Sequence, residues 1–226
     1  MAKTPGFYEI SVGKKILMAV TGIIMFLFVL VHMLGNLQIY LGPDHINAYA
    51  NFLHHGALEI VWATRIALVV CFLVHIVAAF QVWLQSRRAK PDPYTVKVDL
   101  TVGYAARTMI WTGPIVLLFV LYHLAHLTLG WTGPVEIGEH IDVYSNIVHS
   151  FSVPWIAGIY IVANFLLGVH LYHGLWSLFQ TLGVTHPRID AWRRRLAILF
   201  SFVIAAGNIS IPVSVLLGLI RLPAGH

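Results

Sequence analysis

The sequence predicts an all-α integral membrane protein of five spanning helices, the first four forming a four-helix bundle, in one domain over residues 1–226. Three observations predict it. The chain is 58% hydrophobic and 10% charged, with mean hydropathy +0.80, whereas soluble domains carry about 25% charged residues. Apolar runs fall at roughly 16–41, 59–84, 104–130, 154–181 and 195–220, each near the ~20 residues that a bilayer requires. Lys and Arg, finally, are confined almost wholly to alternate loops. So apolar a surface has lipid as its natural solvent.

The elements follow in order. The N-terminus is basic and then apolar, like a signal peptide. The run from Ile16 to Leu41 is too long for a signal h-region of ~7–15 residues, and no small-residue cleavage site follows, so a retained first helix is expected. Gly42-Pro43 ends it, and the semi-polar stretch from Asp44 to His55 reads as a short interfacial helix. Span two stops before Pro91-Asp92-Pro93 and span three before Gly133-Pro134; such pairs break helices. Span four opens on Ser152-Val153-Pro154, with proline in its first turn. His186-Pro187 precedes span five and Pro223 follows it. The seven tryptophans fall mostly near span ends, as an interfacial belt. The single cysteine, Cys71, excludes an intrachain disulfide and an iron–sulfur cluster in this chain.

Basic residues set the expected orientation. Lys3, Lys14 and Lys15 precede span one; Arg87, Arg88, Lys90, Lys97 and Arg107 separate spans two and three; Arg188, Arg193, Arg194 and Arg195 separate spans four and five. That is twelve of the fourteen Lys and Arg residues. The alternate loops hold Asp44, Glu59, Glu136, Glu139 and Asp142 and no Lys or Arg. The N-terminus is therefore expected in the cytoplasm. The net charge of +5 is a topology signal and not a nucleic-acid surface. Arg65, inside span two, and Arg221 are the exceptions.

Thirteen histidines are the oddity of the composition, because a polar ring inside a membrane needs a reason. Spans one to four each contain one or two: His32, His75, His123 with His126, and His170 with His173. At 1.5 Å per residue, His32 and His123 lie about 6–9 Å to the outer side of the midplane, and His75 and His170 about 5 Å to its inner side. An outer pair thus joins spans one and three, and an inner pair joins spans two and four, the diagonals of a four-helix bundle. An internal repeat supports the choice. TGIIMFLFVLVH, Thr21 to His32, matches TGPIVLLFVLYH, Thr112 to His123, at eight of twelve positions. It selects His123 over His126.

Two neutral imidazoles on opposite sides suit haem iron, whose six-coordinate form transfers electrons. Zinc wants about four converging ligands and fits less well. Gly22, Gly35, Gly113, Gly168 and Gly174 are expected to give the ring room. For any one of these histidines the plain alternative is a hydrogen bond to a neighbouring carbonyl. For His126 and His173 a supporting or haem-propionate contact is expected instead of ligation. His54, His55, His140, His149 and His186 read as solvated.

The motifs HMLGNLQ from His32, LEIVWATRIALVVCFLVH ending at His75, TGPIVLLFVLYH ending at His123 and HLYHGLWSLFQTLGVTHPR from His170 carry a resemblance over nearly the whole chain. The sequence resembles the cytochrome b membrane-anchor subunit of succinate dehydrogenases and fumarate reductases, of the five-helix, two-haem type. The resemblance implies axial ligands at His32, His75, His123 and His170, paired His32 with His123 and His75 with His170, around two haems b. It implies a multi-pass subunit of the bacterial cytoplasmic membrane, carrying electrons to quinone, with menaquinone favoured over ubiquinone. A flavoprotein subunit with FAD and the dicarboxylate site, and an iron–sulfur subunit, would dock on the cytoplasmic face near Arg87, Arg88 and Arg193 to Arg195. Topology and lipid headgroups explain the same charges. Glu59 is a candidate proton carrier for quinone, and Arg65 a candidate partner for Glu59 or a propionate; Glu59 is also an ordinary helix-start residue.

A bare structural anchor leaves the histidines unexplained, and two other readings compete. One is the cytochrome b subunit of a nitrate reductase, formate dehydrogenase or hydrogenase, disfavoured by the span-four motif and by one ligand per helix. The other is a histidine-relay transporter, which calls for mid-span carboxylates; none occurs here.

Overall fold

The computed structural model describes Tyr8 and residues 11–88, 104–138 and 142–223. Lys3, Lys90, Lys97, the Pro91-Asp92-Pro93 turn, Glu139 and His140 lie outside the described residues, as does the side chain of Arg107. All regular structure among the described residues is helical, and five helices are long and apolar enough to cross a membrane.

The first helix, α1 (Ser11–Asn36), tightens into a 3₁₀ turn at Leu37–Leu41. Gly42, at φ 102°, stops it, a conformation open to glycine without steric cost. Then α2 (Pro43–Asn51) begins on its proline, as expected for the semi-polar stretch, and ends in a widened π turn at Phe52–Gly56. The second long helix, α3 (Leu58–Arg88), is apolar all round and buries little of itself. The third, α4 (Tyr104–His123), runs into another π turn at Leu124–Thr128, where the Leu129 amide donates to the Leu124 carbonyl at 2.9 Å. A short helix that the sequence reading missed, α5 (Val143–Phe151), is capped by the Asp142 carboxylate, which accepts from the Ser145 amide.

The fourth long helix, α6 (Pro154–Thr181), matches the expected span residue for residue. The fifth, α7 (Pro187–Leu216), begins eight residues before the expected position 195. Pro187 supplies the first helical φ and His186 caps the end, its Nδ1 accepting from the Arg188 amide. Arg193 to Arg195 are thus helical and not in a loop. At the far end α7 stops at Leu216, short of the expected 220, with Leu217 as its cap and Gly218, φ 67°, next.

Neighbouring spans are antiparallel. Thr21 and Met18 of α1 meet His75 of α3, Thr112 of α4 meets His170 of α6, and Gly168 of α6 meets Ala205 of α7. Between α1 and α7 the packing is parallel, with one constant offset: Phe26 meets Phe200, Met33 meets Gly207, and Tyr40 meets Ser214. Contacts seven residues apart on both helices mark a shallow crossing of coiled-coil type. Around the bundle the order is α3, α1, α6, α4, with α7 behind α1 and α6. Among the described residues α3 and α4 scarcely touch, so the ring of four is open on that side.

The tight apolar core lies at one end. Ile39, Ile46, Tyr144, Ile147, Phe151, Ile156, Tyr160, Ile211 and Val215 join α2, α5, α6 and α7 into a cap there. Asn47 ties it further, donating to Asp142 and accepting from the Tyr144 amide. The opposite, basic end carries the start of α1 and the turn from α6 to α7.

Candidate functional site

Inside the ring, two pairs of histidines face each other across its diagonals. His32 of α1 and His123 of α4 have ring centroids 5.9 Å apart with planes at 89°. His75 of α3 and His170 of α6 have centroids 6.5 Å apart at 57°. All four rings are half-buried. The first pair lies toward the cap. The second lies toward the basic end, at the level of Thr21, eleven residues before His32, or about 16 Å of helix.

The spacing is informative. With imidazole nitrogen about 2 Å from a bound metal, and roughly 1 Å from nitrogen to ring centre, two rings clamping one ion from opposite sides stand about 6 Å apart. Both pairs lie at that distance. Among the described residues no group of three or more His, Cys, Asp or Glu side chains converges as a metal site. Each pair brings two imidazoles together from different helices, with no third side chain of those types beside them among the described residues.

A ligand histidine is normally held at its other nitrogen, which fixes tautomer and ring orientation. His75 Nδ1 lies 3.1 Å from the Met18 carbonyl and 3.2 Å from Thr21 Oγ1. The Thr21 hydroxyl gives its proton to the Leu17 carbonyl at 2.7 Å. Its oxygen is then free to accept from Nδ1–H, leaving His75 Nε2 as the bare nitrogen. Thr112, buried and equivalent to Thr21 in the repeat, stands 3.5 Å from His170 Nδ1. His123 Nδ1 lies 3.4 Å from the Tyr160 hydroxyl. The sequence reading missed Thr21, Thr112 and Tyr160 as supporting groups. Eleven residues from Thr to His is close to three full turns, so Thr21 and His32 share one face of α1; that signal was present.

His126 differs from the four. It is 0% exposed, with Tyr160 OH 2.9 Å from Nδ1 and Ser150 Oγ 3.1 Å from Nε2. Both nitrogens are engaged, so it has none to offer a metal or a propionate. The π turn that contains it directs it to α5 and α6.

Several expectations are corrected. Gly35 packs against Tyr49, and Gly168 against Ala205 of α7, so these two serve helix packing and not a ring. Gly22 faces His75, 3.5 Å from the place of a Cβ to Cε1, while Gly113 and Gly174 have open space. Glu59 and Arg65 do not pair. Six residues set them on different sides of α3, both exposed, and the Arg65 guanidinium lies 5.2 Å over the Trp62 ring. Arg193 is no docking residue, being 1% exposed. It pairs with Asp190, donates to the Val184 carbonyl at 2.7 Å and lies 5.0 Å over Trp176, latching the turn between α6 and α7. Trp176 is therefore part of that latch. Arg194 and Arg195 remain exposed.

Fold and site together define an all-helical protein with five helices long and apolar enough to span a membrane and two facing, half-buried histidine pairs among the first four. Compared with known families, curated proteins and solved structures, the chain matches none.

Proposed function

We propose that this chain is the di-haem cytochrome b anchor of a succinate:quinone oxidoreductase. One haem b is held by His32 and His123, the other by His75 and His170. The observation that carries the reading is the pair of centroid separations, 5.9 and 6.5 Å, each joining a different two of the four spans. The haems supply one-electron carriers at two depths.

The chain's own residues do the rest. Thr21, with the Met18 carbonyl, orients His75; Thr112 orients His170; Tyr160 orients His123. The segregation of Lys and Arg supports a cytoplasmic basic end; in this reading the membrane is the bacterial cytoplasmic membrane, and an iron–sulfur subunit and an FAD-carrying flavoprotein subunit dock on that face. Arg87, Arg88, Arg194 and Arg195 offer exposed charge for that docking. Quinone, menaquinone before ubiquinone, reacts near the cap end, where Glu59 opens α3. Fumarate reduction uses the same arrangement in the opposite direction.

The test is a pyridine haemochrome assay with a reduced-minus-oxidised spectrum on the purified chain. Two haems b per chain with low-spin bands are expected. His75→Ala and His170→Ala should each lose the same haem and spare the other, and His126→Ala should retain both. A chain made with adequate haem that binds none refutes the reading.

A further inference from the structure

Resting on the reading of His32 and His123 as axial ligands, we propose that His126 is a positioning residue for the haem of that pair, acting through the Tyr160 hydroxyl on Nδ1 of His123.

Four groups form one chain. Ser150 Oγ lies 3.1 Å from His126 Nε2, His126 Nδ1 lies 2.9 Å from Tyr160 OH, and Tyr160 OH lies 3.4 Å from His123 Nδ1. Ser150 and His126 are 0% exposed and Tyr160 5%, so water does not compete for these bonds. The Tyr160 ring is wedged against Phe119, Tyr122 and Phe151. Gly133 closes the other side of His126; a Cβ there would stand 2.6 Å from Nε2.

A phenol has one proton to donate, and a neutral imidazole has one donor and one acceptor nitrogen. With the buried phenol proton used within the chain, the chain can run in only two directions. If His123 gives Nε2 to iron, its proton stays on Nδ1, and Nδ1–H donates to the Tyr160 oxygen. The Tyr160 proton then goes to His126 Nδ1, which must be bare. His126 carries its own proton on Nε2 and donates it to Ser150. The reverse direction needs a bare Nδ1 and a proton on Nε2 of His123, which ligation through Nε2 excludes. His126 thus keeps the phenol proton turned away from His123, leaving the phenol oxygen as an acceptor. An accepting partner raises the basicity of a metal-bound imidazole, and a more basic ligand favours oxidised iron. Ser150 sits on α5, so the cap holds the far end of the chain that supports His123.

The experiment is a redox titration of holoprotein containing both haems. The His75→Ala protein, which keeps only the His32/His123 haem, identifies its wave. Tyr160→Phe keeps the ring and removes the acceptor, while His126→Leu removes the group that orients it. Each should raise the midpoint of that haem by on the order of tenfold in its reduction equilibrium, or 59 mV for one electron, and leave the other haem unmoved. His126→Asn, whose amide oxygen accepts where Nδ1 does, should recover most of the shift. Unchanged midpoints in Tyr160→Phe, equal shifts in both haems, or a His126→Asn protein shifted as far as His126→Leu each overturn the inference. If His126→Leu loses the haem outright, Tyr160→Phe decides alone. A wild-type chain without haem overturns the reading beneath it.

Discussion

Replacing Gly133 by alanine probes how firmly the cap holds His126. Gly133 has φ +79°, and a Cβ there would stand 2.6 Å from His126 Nε2 and 2.8 Å from Cδ2. Two costs add. An L-residue in the left-handed region loses about 1–2 kcal/mol. Forcing a methyl into a packed interior adds about 1–3 kcal/mol, and His126 cannot swing aside, because both its nitrogens are bonded and it is fully buried. Gly133→Ala should therefore cost about 2–5 kcal/mol. Gly183 is the internal control, with φ +74° and nothing within 4 Å of the added Cβ. Gly183→Ala should cost only the backbone share, about 1–2 kcal/mol. The assay is reversible unfolding of the detergent-solubilised protein by added SDS, followed by helix content. Equal costs at the two glycines would refute the contact between His126 and the turn at Gly133.

Three further outcomes are expected. Thr21→Val removes one of two acceptors at His75 Nδ1 and leaves the Met18 carbonyl, so haem should leave the His75/His170 site about tenfold faster, the low end for lost outer partners. Thr21→Ser should restore retention, and a serine variant as leaky as valine would count against the hydroxyl. Arg193→Ala strips three contacts from the latch between α6 and α7 and should cost about 1.5–3 kcal/mol, whereas exposed Arg194→Ala should stay within about 0.5 kcal/mol, both read by the same SDS titration. Glu59→Gln should slow oxidation of a quinol analogue with haem content unchanged; haem loss in that variant would argue for a structural role instead.

How much of this was legible in the sequence depended on whether the signal was long and periodic or short and local. Long apolar runs gave all five spans, and the start of α6 was legible because proline in the first helical turn gives up no hydrogen bond, as at Ser152-Val153-Pro154. The start of α7 was not, because Arg193 to Arg195 look like solvated loop charge. Nothing in the residue types reveals that Arg193 folds back on the Val184 carbonyl and Trp176. At nine residues α5 lies below the length at which periodicity separates a helix from a loop. Counting helical rise paired His32 with His123 and His75 with His170 by depth, and the structure sets the same rings 5.9 and 6.5 Å apart, centroid to centroid. The π turn at Leu124–Thr128 leaves no mark in composition, so the setting of His126 could not be foreseen. Of the glycines, only the neighbours on other helices tell which make room and which make contact.

The repeat also explains how the two sites are tied together. Helices α1 and α3 form one half, extensively packed on each other, and α4 and α6 form the other. Within each half the first helix carries a Thr-Gly start and a histidine end. Thr21 holds His75 while His32 reaches across, and Thr112 stands beside His170 while His123 reaches across. Each half thus supplies one histidine to each pair, and one threonine to the basic-end pair. Between the halves, α1 packs on α6, but α3 and α4 scarcely touch among the described residues. A group clamped by either pair therefore bridges the halves where the helices themselves leave a gap. Two like halves facing each other give two histidine pairs at two depths, because a histidine near each end of one half meets its counterpart in the other. The pair nearer the cap is not symmetric: His123 Nδ1 lies 3.4 Å from the Tyr160 hydroxyl, a contact that the described residues show for no ring nitrogen of His32, and His126, in the π turn that follows α4, reaches α6 and α5 on that side.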